Sequence, residues 1–105
     1  MATMQAQIVA AGFVTGATGA FAGRGATVAH PGAGIFTITT DIEIDPTQKI
    51  VSAVIQNAAN GIAIVLADTD ATVQIGTFNL PAALAAGPVA ADFNFYFEIK
   101  KMDLV

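Results

Sequence analysis

The chain has no cysteine and no tryptophan, one serine and one histidine. Without cysteine there is no disulfide framework, no thiol nucleophile and no thiolate metal site. With Ser52 as the lone serine, lying inside an apolar run, no Ser-His-Asp set can be assembled. Cations are equally scarce. Arg24, Lys49, Lys100 and Lys101 are the whole supply against eight acidic residues, a formal charge of −4 over 105 residues. A phosphate backbone needs clustered basic side chains, so nucleic acid is not an expected partner. Long apolar runs are missing too. Residues 1–23 carry no charge, but Gln5, Gln7, Gly12, Thr15, Gly16, Thr18 and Gly19 interrupt them. No stretch reaches the ~18–20 apolar residues of a spanning helix, and there is no basic n-region of a secretory signal. Neither a membrane nor a signal segment is expected.

What is abundant is apolar side chain. Residues of the AVILMFWYC set make up 54%, and charged residues only 11%. Such a chain does not stay disordered. Its length suits one domain, so residues 1–105 read as a single unit, with 1–12 a candidate interface arm or edge strand. The apolar share exceeds what a lone domain of this size buries easily. The excess points to self-association or to docking on a larger assembly.

The dominant period is two. Asp41-Ile42-Glu43-Ile44-Asp45 alternates, and the same face continues back through Ile38 and Phe36. Asp92 to Ile99 alternates again, with Phe93, Phe95, Phe97 and Ile99 on one side. Alternation of this kind marks half-buried antiparallel strands. Ile8–Ala11, Lys49–Ile55 and Ile62–Ala67 are apolar on both parities and read as strands covered on both faces. Turn residues separate the runs: Gly16 and Gly19, Gly23-Arg24-Gly25, Pro31 to Gly34, Asp45-Pro46, Asn60-Gly61 and Gly87-Pro88. Asn60-Gly61 between two apolar runs is a hairpin signal. Eight strands follow, at about 5–13, 18–23, 26–30, 34–45, 49–56, 62–68, 71–78 and 89–100. The expected fold is all-β, a compact jelly-roll-like antiparallel β-sandwich. Leu80 to Pro88 has helix punctuation and the length of a turn or two at most.

Residues 18–40 carry a resemblance. A Gly-rich short strand leads to Thr27-Val28, then Gly32-x-Gly34, then Phe36-x-Ile38, and near the other end stand Asp92, Phe93, Phe95 and Phe97. This pattern, spread over most of the chain, resembles the small jelly-roll head domains of bacteriophage tail fibres and virion decoration proteins. The resemblance implies a homotrimer with apolar strand faces meeting near a threefold axis, and a place in the virion. Tail-fibre tips end much longer chains, with a coiled coil or shaft repeat upstream. These residues contain neither, so the expectation is a non-enzymatic capsid decoration (cement) protein on the capsid surface. It would clamp neighbouring copies of the major capsid protein or of another virion protein. The alternative is a receptor- or carbohydrate-binding tail-fibre tip, for which the Gly-, Ala- and Thr-rich loops are poor material.

Particular side chains remain. Ile8, Val9, Phe13, Arg24 and Tyr96 are the interface candidates. The first three belong to the apolar N-terminal strand, and Arg24 is a planar donor between two glycines. Gly23-Arg24-Gly25 is no phosphate loop, since no Walker or dinucleotide pattern surrounds it. His30, before Pro31, reads as a turn or surface histidine, with an interface or pH-sensing role as the alternative. Asp68-Thr69-Asp70 offers half of a calcium site and reads first as a polar loop. Asp41, Glu43 and Asp45 read as a solvated strand face, with Lys49, Lys100 or Lys101 as partners. Phe93, Phe95 and Phe97 read as core. No cofactor and no metal are expected.

Overall fold

Alternating side chains pair two antiparallel sheets face to face. The computed structural model of the chain describes residues 4–56, 60–80 and 89–104. Sheet A has the order β2-β1-β9-β5, formed by Ala20–Arg24, Met4–Thr15, Phe95–Leu104 and Lys49–Ile55. Sheet B has the order β3-β4-β7-β6, formed by Ala26–Gly32, Ile35–Thr40, Thr72–Asn79 and Gly61–Asp68, and the short β8, Val89–Ala90, pairs with β7. Every pairing is antiparallel. The all-β antiparallel sandwich read from the alternation is therefore the fold.

One parity of each strand fills the space between the sheets. Val14, Phe95, Phe97 and Ile99 come from sheet A, and Phe36, Ile38, Val73 and Ile75 from sheet B, all buried. Phe36 meets Phe95 edge-on at 5.0 Å, and Phe21 stacks on Phe97 at 5.4 Å. These are the ring geometries that aromatic quadrupoles favour. Phe93 does not join the row: it precedes β9, is half-buried, and its backbone lies against Gly16.

Two expected strands come out shorter. The run 34–45 stops at Thr40, and Asp41 to Asp45 form no ladder. The segment crosses from sheet B to sheet A, so its backbone bonds go to other loops: Asp41 N–H to Gly25 O, and Ile44 N–H to Asp70 O. Thr40 helps end the strand by donating its hydroxyl to Ile42 O. Period two is also the period of a chain with one wet side. Here Ile44 is buried while Ile42 is exposed. Asp41, Glu43 and Asp45 are solvated, as expected, but they share no strand face. Lys49 turns to Asp68 and Lys100 to Glu98 rather than to these acids.

The run 89–100 is likewise divided, into β8 and β9. Residues 91–94 tie two turns and β7 together. Asp92 Oδ1 accepts from Gly34 N–H at 2.6 Å, and Asn94 Oδ1 from Gly16 N–H at 2.8 Å. Buried Thr77 donates its hydroxyl to Ala91 O.

Asn60-Gly61 makes no β5–β6 hairpin. The two strands lie in different sheets, β5 against β9 and β6 against β7. Hairpins occur instead at β1–β2, β3–β4 and β6–β7. The step from β2 into β3 passes through Gly25, at φ +81 with Val9 O where a Cβ would stand. The possible helical turn after Leu80 lies outside the described residues. No helix among the described residues is long and apolar enough to cross a membrane.

Candidate interaction face

The other parity of sheet A faces outward, and register fixes which side chains share a row. Ala22, Phe13, Tyr96 and Val54 stand side by side across β2, β1, β9 and β5. The next row is Arg24, Ala11, Glu98 and Ser52, followed by Ile8, Lys100 and Ile50. Phe13 and Tyr96 are in ring contact at 4.8 Å. Tyr96 is 49% exposed, Val54 64% and Ile8 48%. Gln56 borders the patch, its Nε2 donating to the Tyr96 hydroxyl. Glu98 and Lys100 pair across two residues at 3.1 Å, both half-buried. The Arg24 side chain makes no ion pair or hydrogen bond among the described residues.

Four of the five interface candidates, Ile8, Phe13, Arg24 and Tyr96, thus fall on one face. Val9 does not. A β-bulge between Ile8 and Ala10 inserts it as the extra residue, half-buried and packed against the core. Beyond β2 and β5, β1 and β9 continue as a two-stranded ribbon from Ala6↔Met102 to Met4↔Leu104, and Met4–Ala10 has a strand partner on one side only. Ile50 and Val54 were missed as individual candidates. Their signal was the apolar residue on both parities of β5, read there as a strand covered on two sides.

Sheet B has a second exposed apolar group. Ile64, Val65 and Leu66 lie on edge strand β6, where a bulge inserts Leu66. Leu66 and Phe78 reach over Gly76. A bulge on an open edge discourages further strand pairing.

The chemistry-bearing side chains are engaged structurally. His30 is not a surface residue: it lies in β3, its side chain 16% exposed, flat on Phe36 with ring centroids 4.4 Å apart. Its Nδ1–H donates to Ile35 O at 2.8 Å, and Nε2 lies 3.2 Å from Asp92 Oδ1. Asp68 Oδ1 takes Lys49 Nζ at 2.6 Å, and the Lys49 side chain is closed off from solvent. Lys49 Nζ also donates to Thr69 O. Thr69 and Thr72 close the turn with each other. The Asp68 to Asp70 segment is therefore a hairpin turn pinned to β5. Among the described residues no three carboxylates or imidazoles gather as a metal site. Asp45 caps the 3-10 turn Pro46–Gln48; the Thr47 N–H, then the Thr47 hydroxyl, hold its carboxyl below the ordinary carboxylate value.

No family model matches this chain, and neither a curated protein nor a solved structure matches it.

Proposed function

We propose that this protein is a non-enzymatic structural component of a virion, a decoration protein that self-associates and clamps neighbouring capsid subunits. The observation that supports the reading best is the outer face of sheet A, where Phe13, Tyr96 and Val54 form one apolar row and Ile8 and Ile50 flank Lys100 in another, with exposed Tyr96, Val54, Ile8 and Ile50 meeting water on either side of the row of Arg24, Ala11, Glu98 and Ser52. Exposed apolar patches of that kind mark contact surfaces. The virion context comes from the resemblance of residues 18–40 and 92–97 to phage head domains.

On this reading the work is mechanical. The sandwich is a stiff plate, its outer rows adhere to neighbours, and load passes from one capsid subunit to the next through the sheet. Purified protein mixed with undecorated capsids of the encoding phage is expected to bind saturably, at a fixed number of copies per shell, and to raise the temperature at which the shell opens. Absence of capsid binding together with saturable binding to host-cell glycans would overturn the reading in favour of a fibre tip. The resemblance implies assembly in threes. The register of sheet A supports a pairwise contact instead, argued next.

A further inference from the structure

We propose that two copies of this chain pack through the outer faces of their A sheets, about a twofold axis running along β1. This rests on the reading of that face as an assembly surface. Such an axis keeps every row of the face at its own level and exchanges β2 with β9 between the copies, since both flank β1.

In the two described rows that cross β2, β1 and β9 the face is then complementary to itself. In one row Arg24 and Glu98 flank Ala11. Across the axis, each Arg24 faces Glu98 of the second copy. Among the described residues the Arg24 side chain has no partner, and the Glu98 carboxylate, more than a third exposed, meets Lys100 through one oxygen. A planar guanidinium opposite a carboxylate is the pairing its five donors suit. In the next row Ala22 and Tyr96 flank Phe13. Here the large exposed ring faces the small residue of the second copy, while Phe13 meets Phe13 on the axis. Ala11, also on the axis, leaves room for close approach. Charge and size therefore both match under one operation, as an isologous contact requires.

The overlap is three strands wide, about 14 Å at ~4.8 Å per strand. That is small beside the ~800 Å² per partner of a standard interface, so the pair separates on dilution. β5 lies beyond the overlap, which leaves Ile50 and Val54 for a different neighbour.

The test is the mass of the full chain by light scattering and sedimentation over a range of concentrations. The wild type is expected at two chains per particle, dissociating on dilution and more readily at high salt. R24E and E98R are each expected to weaken pairing by about tenfold or more. The combined R24E/E98R variant is expected to recover most of it, because the charges are exchanged rather than lost. V54S, outside the overlap, should leave the curve unchanged. Thermal unfolding of the same samples checks that each variant is folded. A single-chain mass throughout, a three-chain mass, single variants that pair normally, or a combined variant no better than either single one would each overturn the proposal. So would a V54S defect as large as that of R24E, which would move the axis. A monomer that still binds capsids fails this inference alone, whereas a pair that ignores capsids fails the decoration reading alone.

Discussion

Phe95 and Tyr96 are neighbours in sequence and opposites in environment. Phe95 has no exposed surface and touches rings from both sheets, whereas Tyr96 is half in water on the far side of the same strand. The same division runs through β1, with Val14 inside and Phe13 outside, and through β5, with Val51 and Ala53 inside and Val54 outside. Inside, apolar side chains stabilise the fold by leaving water. Outside, side chains such as Tyr96 and Val54 keep about half or more of their surface in water until a second surface arrives. The two faces of sheet A thus separate what holds the chain together from what it offers to others.

The largest effect that breaks this comparison is in the core. Phe95→Ala removes a ring packed against Phe36 and Phe97, and is expected to cost about 3–5 kcal/mol. The matching change outside, Val54→Ser, is expected within about 0.5 kcal/mol of wild type. Urea unfolding of both variants measures the contrast. Equal losses would mean that the outer face contributes to the fold of the single chain.

A smaller effect sharpens the boundary between the faces. Lys49 stands on the inward parity of β5, at the end of the sheet, and reaches Asp68 at the end of β6. The pair joins the edges of the two sheets. Asp68→Ala leaves the enclosed ammonium with Thr69 O alone, and is expected to cost about 2–4 kcal/mol. Lys49→Met removes the charge with the desolvation it requires, and is expected to be much milder, within about 1 kcal/mol. Denaturant midpoints that rank the two the other way would show that the pair is solvated and weak.

These contrasts show how far the residues spoke for themselves. Alternation found the core side of β9 at Phe95, Phe97 and Ile99, where Glu98 marks the outer side, and overran it at Phe93, which stands before the strand. In β5 both parities are apolar, so the outer face showed only as a surplus without a direction. Register supplied the rest. Nothing local to Phe13, Tyr96 and Val54 says that they stand in one row, since they meet through pairings with residues dozens of positions away. The same non-local choice defeated Asn60-Gly61. A turn sequence permits a hairpin, but β9 and β7 claimed the two flanking strands. Asp41 to Asp45 failed differently, for alternation records which side chains are wet and not whether a ladder partner exists. His30 was misjudged because its enclosure depends on Phe36 beside it and Asp92 far along the chain.

The smallest expected effect lies where burial plays no part. Asp45 is exposed, and its carboxylate accepts from the Thr47 N–H at 2.9 Å and from the Thr47 hydroxyl at 2.9 Å. Those bonds favour the ionised form, so the folded-state pKa lies below the ordinary value, with slight desolvation opposing. The sign follows from linkage. Above the unfolded pKa, near ~3.9, the unfolded chain loses this proton without gaining the two bonds, and the contribution to stability is fully present. As pH falls through the folded-state pKa both states become protonated and the contribution disappears. Asp45→Ala should therefore unfold at lower denaturant than wild type at pH 6, and the gap should narrow steadily below pH 4. A gap independent of pH would mean that Asp45 acts through backbone preference at the start of the turn rather than through its charge. Either result concerns a residue wholly in water, so it separates hydrogen bonding from burial as sources of stability outside the core.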